Sequence, residues 1–444
     1  MPEIMRAPLW HRMVDAAGLV RPDGTVGETI FGQMTQLAAA HGAVNLGQGA
    51  PGTAAPDALV DAAAEAMRQG VNQYAPGQGF PELRAAVAEQ RRREYGQQVG
   101  PEEVLVTVGA TEALTAAILA LVPPAGEVIV FEPFYDAYPA AITAAGATMV
   151  TVPVLPVDDS AEDGGADDGS ADGTGGAEGG PAGGGFAPDW DAFEAAVSEA
   201  TAAIIVNTPH NPTGALFDLA QQQRIFAAAR RADAWVITDE VYEYLVFDGA
   251  EHRALAAHVD EPERVVSVSS AGKSFNITGW KVGWVIAAPE VREAIQGVKQ
   301  FLTFTAGSPL QIAVAEALRT DSPFPAENRD SLAARRDVLL AALREVPEVD
   351  IRTPQAGYFV LVDFAPVTGE DAFALNERIT REYGFTGIPV AALCRAGSPT
   401  AEHYRATIRY SFCKGPAEVE AATAGIARLA RAITEGCFAP RLPD

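Results

Sequence analysis

The chain has 444 residues, 48% hydrophobic and 20% charged, with a formal net charge of −26. That length fits roughly two or three domains with large cores, and the acidic balance excludes a nucleic-acid-binding face, which needs a basic surface. No apolar run approaches the ~18 residues of a membrane span; the longest, 113–122, stops at Pro123-Pro124.

The first residues include Glu3, Arg6, His11, Arg12 and Asp15 and have no uninterrupted apolar core, so they do not read as a signal peptide. Three cysteines, Cys394, Cys413 and Cys437, show neither metal spacing nor a disulfide framework. A reducing cytoplasm and no metal site are expected.

In chain order the pattern alternates. A strand is predicted over 104–108, a helix over 111–121, a strand over 127–131, a helix over 137–145 and a strand over 148–153. The segment 158–185 then holds Asp158, Asp159, Glu162, Asp163, Asp167, Asp168, Asp172 and Glu178, no lysine or arginine, and otherwise mostly Gly, Ala and Ser. Such a composition cannot bury enough apolar surface to offset its ordering entropy, so a disordered surface insertion is expected. Its spacing fits no calcium loop. A helix over 190–200, a strand over 203–206, a helix over 219–231 and strands over 235–238, 265–269 and 282–287 follow. Strands alternating with helices of roughly ten to fifteen residues predict an α/β fold with a mostly parallel sheet covered on both faces.

After about residue 325 the character changes. A long charged helix is predicted over 327–345, a strand over 357–364, a helix over 371–383, a strand over 407–413 and a last helix over 417–433. This is an α+β unit, expected to be completed by the N-terminal segment. There is no internal repeat.

In such sheets ligands sit at the carboxyl ends of the strands, where the motifs fall. Gly109-Ala110-Thr111 joins a strand to a helix, so its backbone amides and the helix dipole face an anion; alone, it reads equally as a plain small-residue turn. In Asn207-Thr208-Pro209-His210-Asn211-Pro212-Thr213-Gly214 the prolines stiffen the backbone and can aim the Asn211 amide into the cleft; the alternative is a rigid turn. Asp239, at the end of the next strand, can pair with a protonated pyridine nitrogen, with Tyr242 three residues on, or it can cap a helix or ligate a metal. Lys273 lies in Ser270-Ala271-Gly272-Lys273-Ser274, after the apolar run Val265-Val266-Ser267-Val268. Desolvation there lowers its pKa and frees an amine nucleophile. The Ser270 hydroxyl before it and Lys281 after it suit a phosphate, so the set points to pyridoxal 5′-phosphate (PLP) held by Lys273 as a Schiff base.

Together these stretches resemble the class I aminotransferases of PLP fold type I, over about residues 31–432. The resemblance also uses Val44-Asn45-Leu46-Gly47-Gln48-Gly49, Asn72-Gln73-Tyr74, Glu132-Pro133-Phe134-Tyr135-Asp136, Gly279-Trp280-Lys281-Val282-Gly283-Trp284 and Ile408-Arg409-Tyr410-Ser411-Phe412-Cys413-Lys414. It is strongest toward the kynurenine and glutamine transaminases and actinobacterial N-succinyldiaminopimelate aminotransferases. It implies a large domain over 49–324 with a mostly parallel seven-stranded sheet between helices. It also implies a smaller α+β domain over 325–444, joined by an N-terminal segment over 1–48.

Position by position, the resemblance implies that Lys273 carries the cofactor and the proton, Asp239 partners the pyridinium, and Asn211 and Tyr242 donate to the phenolic oxygen. Tyr135 stacks on the ring. Gly109, Ala110, Thr111, Ser270 and Lys281 form the phosphate cup, with lysine in place of the arginine many members use. Tyr74 reaches the phosphate of a second subunit, which implies a homodimer. Arg409, with Gly49 and Asn211, grips the substrate carboxylate, and Phe304 stands near the substrate side chain. In Phe304-Thr305 this chain lacks the histidine of the mammalian kynurenine enzymes.

The implied activity moves an amino group from an L-amino acid to a 2-oxo acid, 2-oxoglutarate being the expected acceptor. On resemblance alone the donor is N-succinyl-LL-2,6-diaminopimelate, the alternative a broad glutamine, methionine or aromatic specificity. A β-eliminating carbon–sulfur lyase shares most of the same residues. A non-catalytic sensor would need a fused DNA-binding module, for which the stretch before Phe31 is too short and not basic.

Overall fold

A computed structural model describes residues 7–21, 23–157 and 185–438. The predicted acidic insertion, apart from Gly185, lies outside the described residues.

Among the described residues the central sheet has eight strands, in the order Val104–Val108, Val282–Ile286, Val265–Ser270, Trp235–Asp239, Thr201–Asn207, Glu127–Glu132, Thr148–Pro156 and Phe186–Pro188. Six run in one direction; Val282–Ile286 and the edge strand Phe186–Pro188 run against them. The expected seven-stranded sheet is therefore corrected to eight. The extra strand is three residues long, too short for a period-2 pattern to show, and pairs Val154 with Pro188 and Pro156 with Phe186.

The apolar strands are buried on both faces, as a covered sheet requires. Val128, Val130, Ile205, Ile237 and Val266 face the helix Gly109–Leu121 through Ala113, Leu114 and Ala117. Their alternates Ile129, Phe131, Ile204, Val206 and Val236 pack on Ile225, Phe226 and Ala229 of the helix Leu219–Arg231. Asp218 starts that helix by accepting from the Gln221 amide at 2.8 Å, while the Gln221 side chain accepts from the Asp218 amide. At the other end of the sheet Val106, Val282 and Trp284 meet the helices Asp57–Arg68, Pro81–Tyr95 and Ser308–Arg319, which lie outside the predicted elements.

The helix predicted over 190–200 ends at Ala196. Val197 is extended, the Ser198 amide donates to Thr201 Oγ1 at 2.9 Å, and the Ser198 hydroxyl donates to Glu127 at 2.7 Å. These side-chain bonds offer the backbone an alternative to another helical turn.

A second, antiparallel sheet has the order Asp350–Ile351, Phe359–Asp363, Thr407–Ser411, Ile388–Pro389. The helices Phe324–Arg344, Ala372–Tyr383 and Pro416–Thr434 pack with it around Leu339, Leu375 and Ile426. The N-terminal strand Val44–Asn45 pairs in parallel with Phe385–Thr386, and the Ser411 amide donates to Leu46 O at 2.7 Å. Residues 47–49 are thereby carried past the end of the Thr407–Ser411 strand. Among the described residues no helix is long and apolar enough to cross a membrane, and no group of His, Cys, Asp and Glu is placed to hold a metal ion.

Candidate active site

Three adjacent parallel strands end in Asn207, Asp239 and Ser270, and Asn207 lies opposite Asp239 in the register. Polar groups at the carboxyl edge of a parallel sheet converge because the strands stop together while their connections diverge. The Asn207 side chain spans the gap: Nδ2 donates to Asp239 O at 3.0 Å and Oδ1 accepts from the Asn211 amide at 2.8 Å. A cavity of about 250 Å³ opens there. Its wall includes Gly49, Gly109, Ala110, Thr111, Tyr135, Asn211, Asp239, Tyr242, Ser270, Lys273, Lys281 and Arg409.

Lys273 stands in the one-turn helix Ala271–Ser274, and its Nζ reaches Gly49 O at a long 3.4 Å. Burial, with Arg409 and Lys281 adding like charge, brings the ammonium down to about 8. Burial likewise pushes the Asp239 carboxyl up to about 6, against the Tyr138 hydroxyl, which donates to Oδ2 at 2.6 Å. Arg409 comes from the second sheet. Its Nη1 donates to Asn211 Oδ1 at 2.9 Å and its Nη2 to Gly47 O at 2.8 Å, while the buried Nε has no partner among the described residues. Its Cζ lies 3.9 Å from the centre of the Phe359 ring. Burial lowers its pKa to about 10. The Tyr242 phenol is raised by burial.

The cup side depends on small residues. Gly109 has φ 72°, and a Cβ there would meet Lys281 Cε at 3.1 Å. A Cβ on Gly283 would fall 2.6 Å from the Gly109 carbonyl carbon. Ala110 and Thr111 follow Gly109 in the first turn of the helix, where amides lack intrahelical partners. Thr111 Oγ1 lies 3.3 Å from the Tyr135 hydroxyl.

Tyr74 and Phe304 are not brought into this cavity. Tyr74 is 83% exposed and meets Phe304 edge-on at 5.5 Å on the surface.

Residues 42–418 match the family described as aminotransferase class I and II. The chain belongs to this family. It is an aminotransferase, similar to the probable N-succinyldiaminopimelate aminotransferase DapC of Mycobacterium tuberculosis, with 42% identity over 89% of this chain and 94% of that protein. It is 36% identical to the methionine aminotransferase of Escherichia coli over 91% of this chain and 96% of that one. A solved structure of N-succinyldiaminopimelate aminotransferase from Mycobacterium tuberculosis superposes with a TM-score of 0.81 at 41% identity, covering 90% of this chain and 97% of that one.

This aminotransferase has further cavity residues that sequence reasoning did not name. The Tyr358 hydroxyl donates to Gly49 O at 2.6 Å, and its ring packs edge-on against Tyr242 at 5.2 Å. Phe31, Leu114 and Phe359 form an apolar wall. Tyr138, in the first turn of the helix Ala137–Ala144, backs Asp239. His210 is held neutral by burial, which takes it down to about 3, and its Nδ1 lies 2.7 Å from Thr213 Oγ1. It stiffens the loop that aims Asn211.

Proposed function

We propose that this aminotransferase uses PLP and moves the amino group of N-succinyl-LL-2,6-diaminopimelate to 2-oxoglutarate. The observation that carries the cofactor assignment is one cavity that joins a half-buried lysine with a lowered pKa, a buried carboxylate and a buried arginine whose Nε has no partner among the described residues. The residues fit the cofactor. Lys273 would hold its aldehyde carbon, Asp239 its ring nitrogen, Asn211 and Tyr242 its phenolic oxygen, and Ala110, Thr111, Ser270 and Lys281 its phosphate. Tyr135 would flank the ring. When bound, PLP supplies an electron sink for the charge left at the substrate Cα and carries the amino group between half-reactions.

The chain's own residues do the rest. Arg409 holds the substrate α-carboxylate through its planar fork, helped by the Gly49 amide and Asn211. Lys273 Nζ would take the proton from the substrate Cα and, as its ammonium, would give a proton back, and an amine with a pKa of about 8 serves as both base and acid near neutral pH. Asp239 would keep the cofactor's ring nitrogen protonated, with Tyr138 orienting its carboxylate. Tyr74 and Phe304 are exposed and do not line their own cavity, which supports a homodimer in which each completes the partner's site. We assign residues 1–48 and 325–444 to a small domain and 49–324 to a large one. The three free thiols, Cys394, Cys413 and Cys437, suit the cytoplasm.

The donor rests on the similarity to the mycobacterial enzyme. The apolar wall of Phe31, Leu114 and Phe359 favours a second reading, a methionine or aromatic donor, in keeping with the Escherichia coli relative. The test is kcat/KM for N-succinyl-LL-2,6-diaminopimelate, methionine, glutamine and kynurenine, each with 2-oxoglutarate. The succinylated donor is expected to lead. Methionine or kynurenine ahead of it would replace the first reading with the second, and pyruvate and ammonia formed from cystathionine without a 2-oxo acid would mark a lyase.

A further inference from the structure

Lys299 lies near the end of the helix Pro289–Leu302 and is fully buried. Its Nζ donates to Phe304 O at 2.7 Å and to Gly77 O at 3.3 Å. Among the described residues it makes no salt bridge; its charge is met by these two carbonyls and, at longer range, by the Glu112 carboxylate. A buried ammonium held this way is costly, and a methionine of similar volume would fill the space more cheaply.

The two carbonyls belong to the two chain segments that carry Tyr74 and Phe304. Other bonds fasten the same pair of segments: Ser308 Oγ donates to Gln73 O at 2.5 Å, and Gln311 accepts from the Phe80 amide while donating to Ala306 O, both at 2.9 Å. On the other flank Thr303 Oγ1 donates to Glu112, whose second oxygen accepts from the Val108 amide at 2.6 Å, beside the cup. Phe304 itself is held at φ 66°, a left-handed backbone unfavourable for a bulky residue, and its carbonyl takes the shorter Lys299 bond. The result is a rigid platform whose two aromatic rings face outward.

Resting on the shared-site dimer proposed above, we infer that Lys299 is a positioning residue acting across the dimer. It ties the segments of Tyr74 and Phe304 together so that both rings are already in place for the site of a second copy of this chain. Presetting those rings removes an ordering cost that the partner's cofactor and substrate would otherwise meet on binding.

The test uses hybrid dimers with differently tagged chains, one silenced by Lys273→Ala. The single working site then takes Lys273 from the intact chain and its platform from the silent one. Lys299→Met on the silent chain is expected to weaken PLP retention at the working site by about tenfold, the scale of one charge-assisted contact, read after dialysis as the PLP that borohydride fixes to Lys273, which only the intact chain carries. It should also raise KM more than it lowers kcat. The same substitution on the intact chain is expected to affect that chain's site much less. Equal losses on either chain mean a merely structural role and overturn the inference. Tyr74→Phe in the same hybrids separates the two ideas. If Tyr74→Phe acts across the dimer and Lys299→Met does not, Lys299 alone is wrongly assigned. If Tyr74→Phe has no effect across the dimer, or light scattering gives a monomer, the shared site fails and Lys299 with it. Should Lys299→Met not fold, Lys299→Gln, which keeps one donor, is read in the same way, and absence of any loss from the silent chain overturns the proposal.

Discussion

Arg409 Nη1 donates to Asn211 Oδ1 at 2.9 Å, joining the second sheet to a loop of the central sheet across the cavity mouth. The two residues are 198 positions apart in the chain. With Oδ1 engaged, Nδ2 is the Asn211 atom left to donate into the cavity, and the arginine fork packs 3.9 Å from the centre of the Phe359 ring.

Arg409→Lys should therefore reduce kcat/KM in both half-reactions, since donor and acceptor each present an α-carboxylate. A lysine has no planar fork and leaves either Asn211 or Gly47 unpaired. The expected loss is about 2–4 kcal/mol in transition-state stabilisation. Steady-state kinetics with both substrates varied measure it, and a loss confined to one substrate would place the carboxylate elsewhere.

Asp239 and Lys273 should leave opposite marks on the stability of the cofactor-free protein. The folded Asp239 carboxyl, at about 6, lies above its ordinary value near 3.8, so the wild type loses stability as pH rises from about 4 to about 6. Asp239→Asn is then expected to gain about 3 kcal/mol over wild type at pH 8, a gain that shrinks below pH 6 and vanishes near pH 4. Tyr138→Phe removes a donor to the ionised carboxylate and should move that window to higher pH. Urea unfolding across pH measures both, and a pH-independent difference would mean that Asp239 titrates as an exposed acid.

For Lys273 the sign reverses. Its folded value, about 8, lies below the ordinary 10.5, so the wild type loses stability as pH falls through that interval. Lys273→Met should become the more stable protein below pH 8 by about 3 kcal/mol and lose that advantage near pH 10. With PLP present, borohydride reduction should fix the cofactor on the peptide containing Lys273, and Lys273→Ala should retain PLP while turnover is nearly abolished. Label on Lys281, at the cup, would reverse the assignment of the two lysines.

Asn211, Asp239, Ser270 and Gly109, which share the cavity, could be proposed from the sequence because each lies at or just past the end of an apolar strand, and strand ends in a parallel sheet meet in space. The helix Leu219–Arg231 was readable from period and cap alone. Tyr358 and Tyr138 were not, because their roles depend on partners 309 and 101 residues away, Gly49 and Asp239. Neither carries a local pattern that marks it. The apolar wall residue Phe31 belongs to a helix, Ile30–His41, that no periodicity singled out, and its part in the cavity comes from packing toward Arg409. The sheet edge was misjudged for a similar reason: Phe186–Pro188 is a strand only because Val154 to Pro156 offers it a ladder.

That edge supplies the last prediction. The Val157 amide donates to Gly185 O at 2.9 Å, so the chain leaves and re-enters the sheet at neighbouring points. Residues 158–184 can therefore be replaced by a two-residue Asn-Gly hairpin turn, whose twist suits antiparallel strands. The replacement removes eight acids and no base. Loop-closure entropy changes only with the logarithm of length, so the gain should be at most about 2 kcal/mol. The edge strand lies beyond Thr148–Pro156, away from the strands that end in Asn207, Asp239 and Ser270. Kinetic constants, PLP retention and the mass by light scattering are thus expected to match wild type, with a melting temperature equal or slightly raised. A lower melting temperature with intact kinetics would mean that the segment braces the sheet edge, whereas lost PLP or a changed mass would give it a part in the site or the assembly.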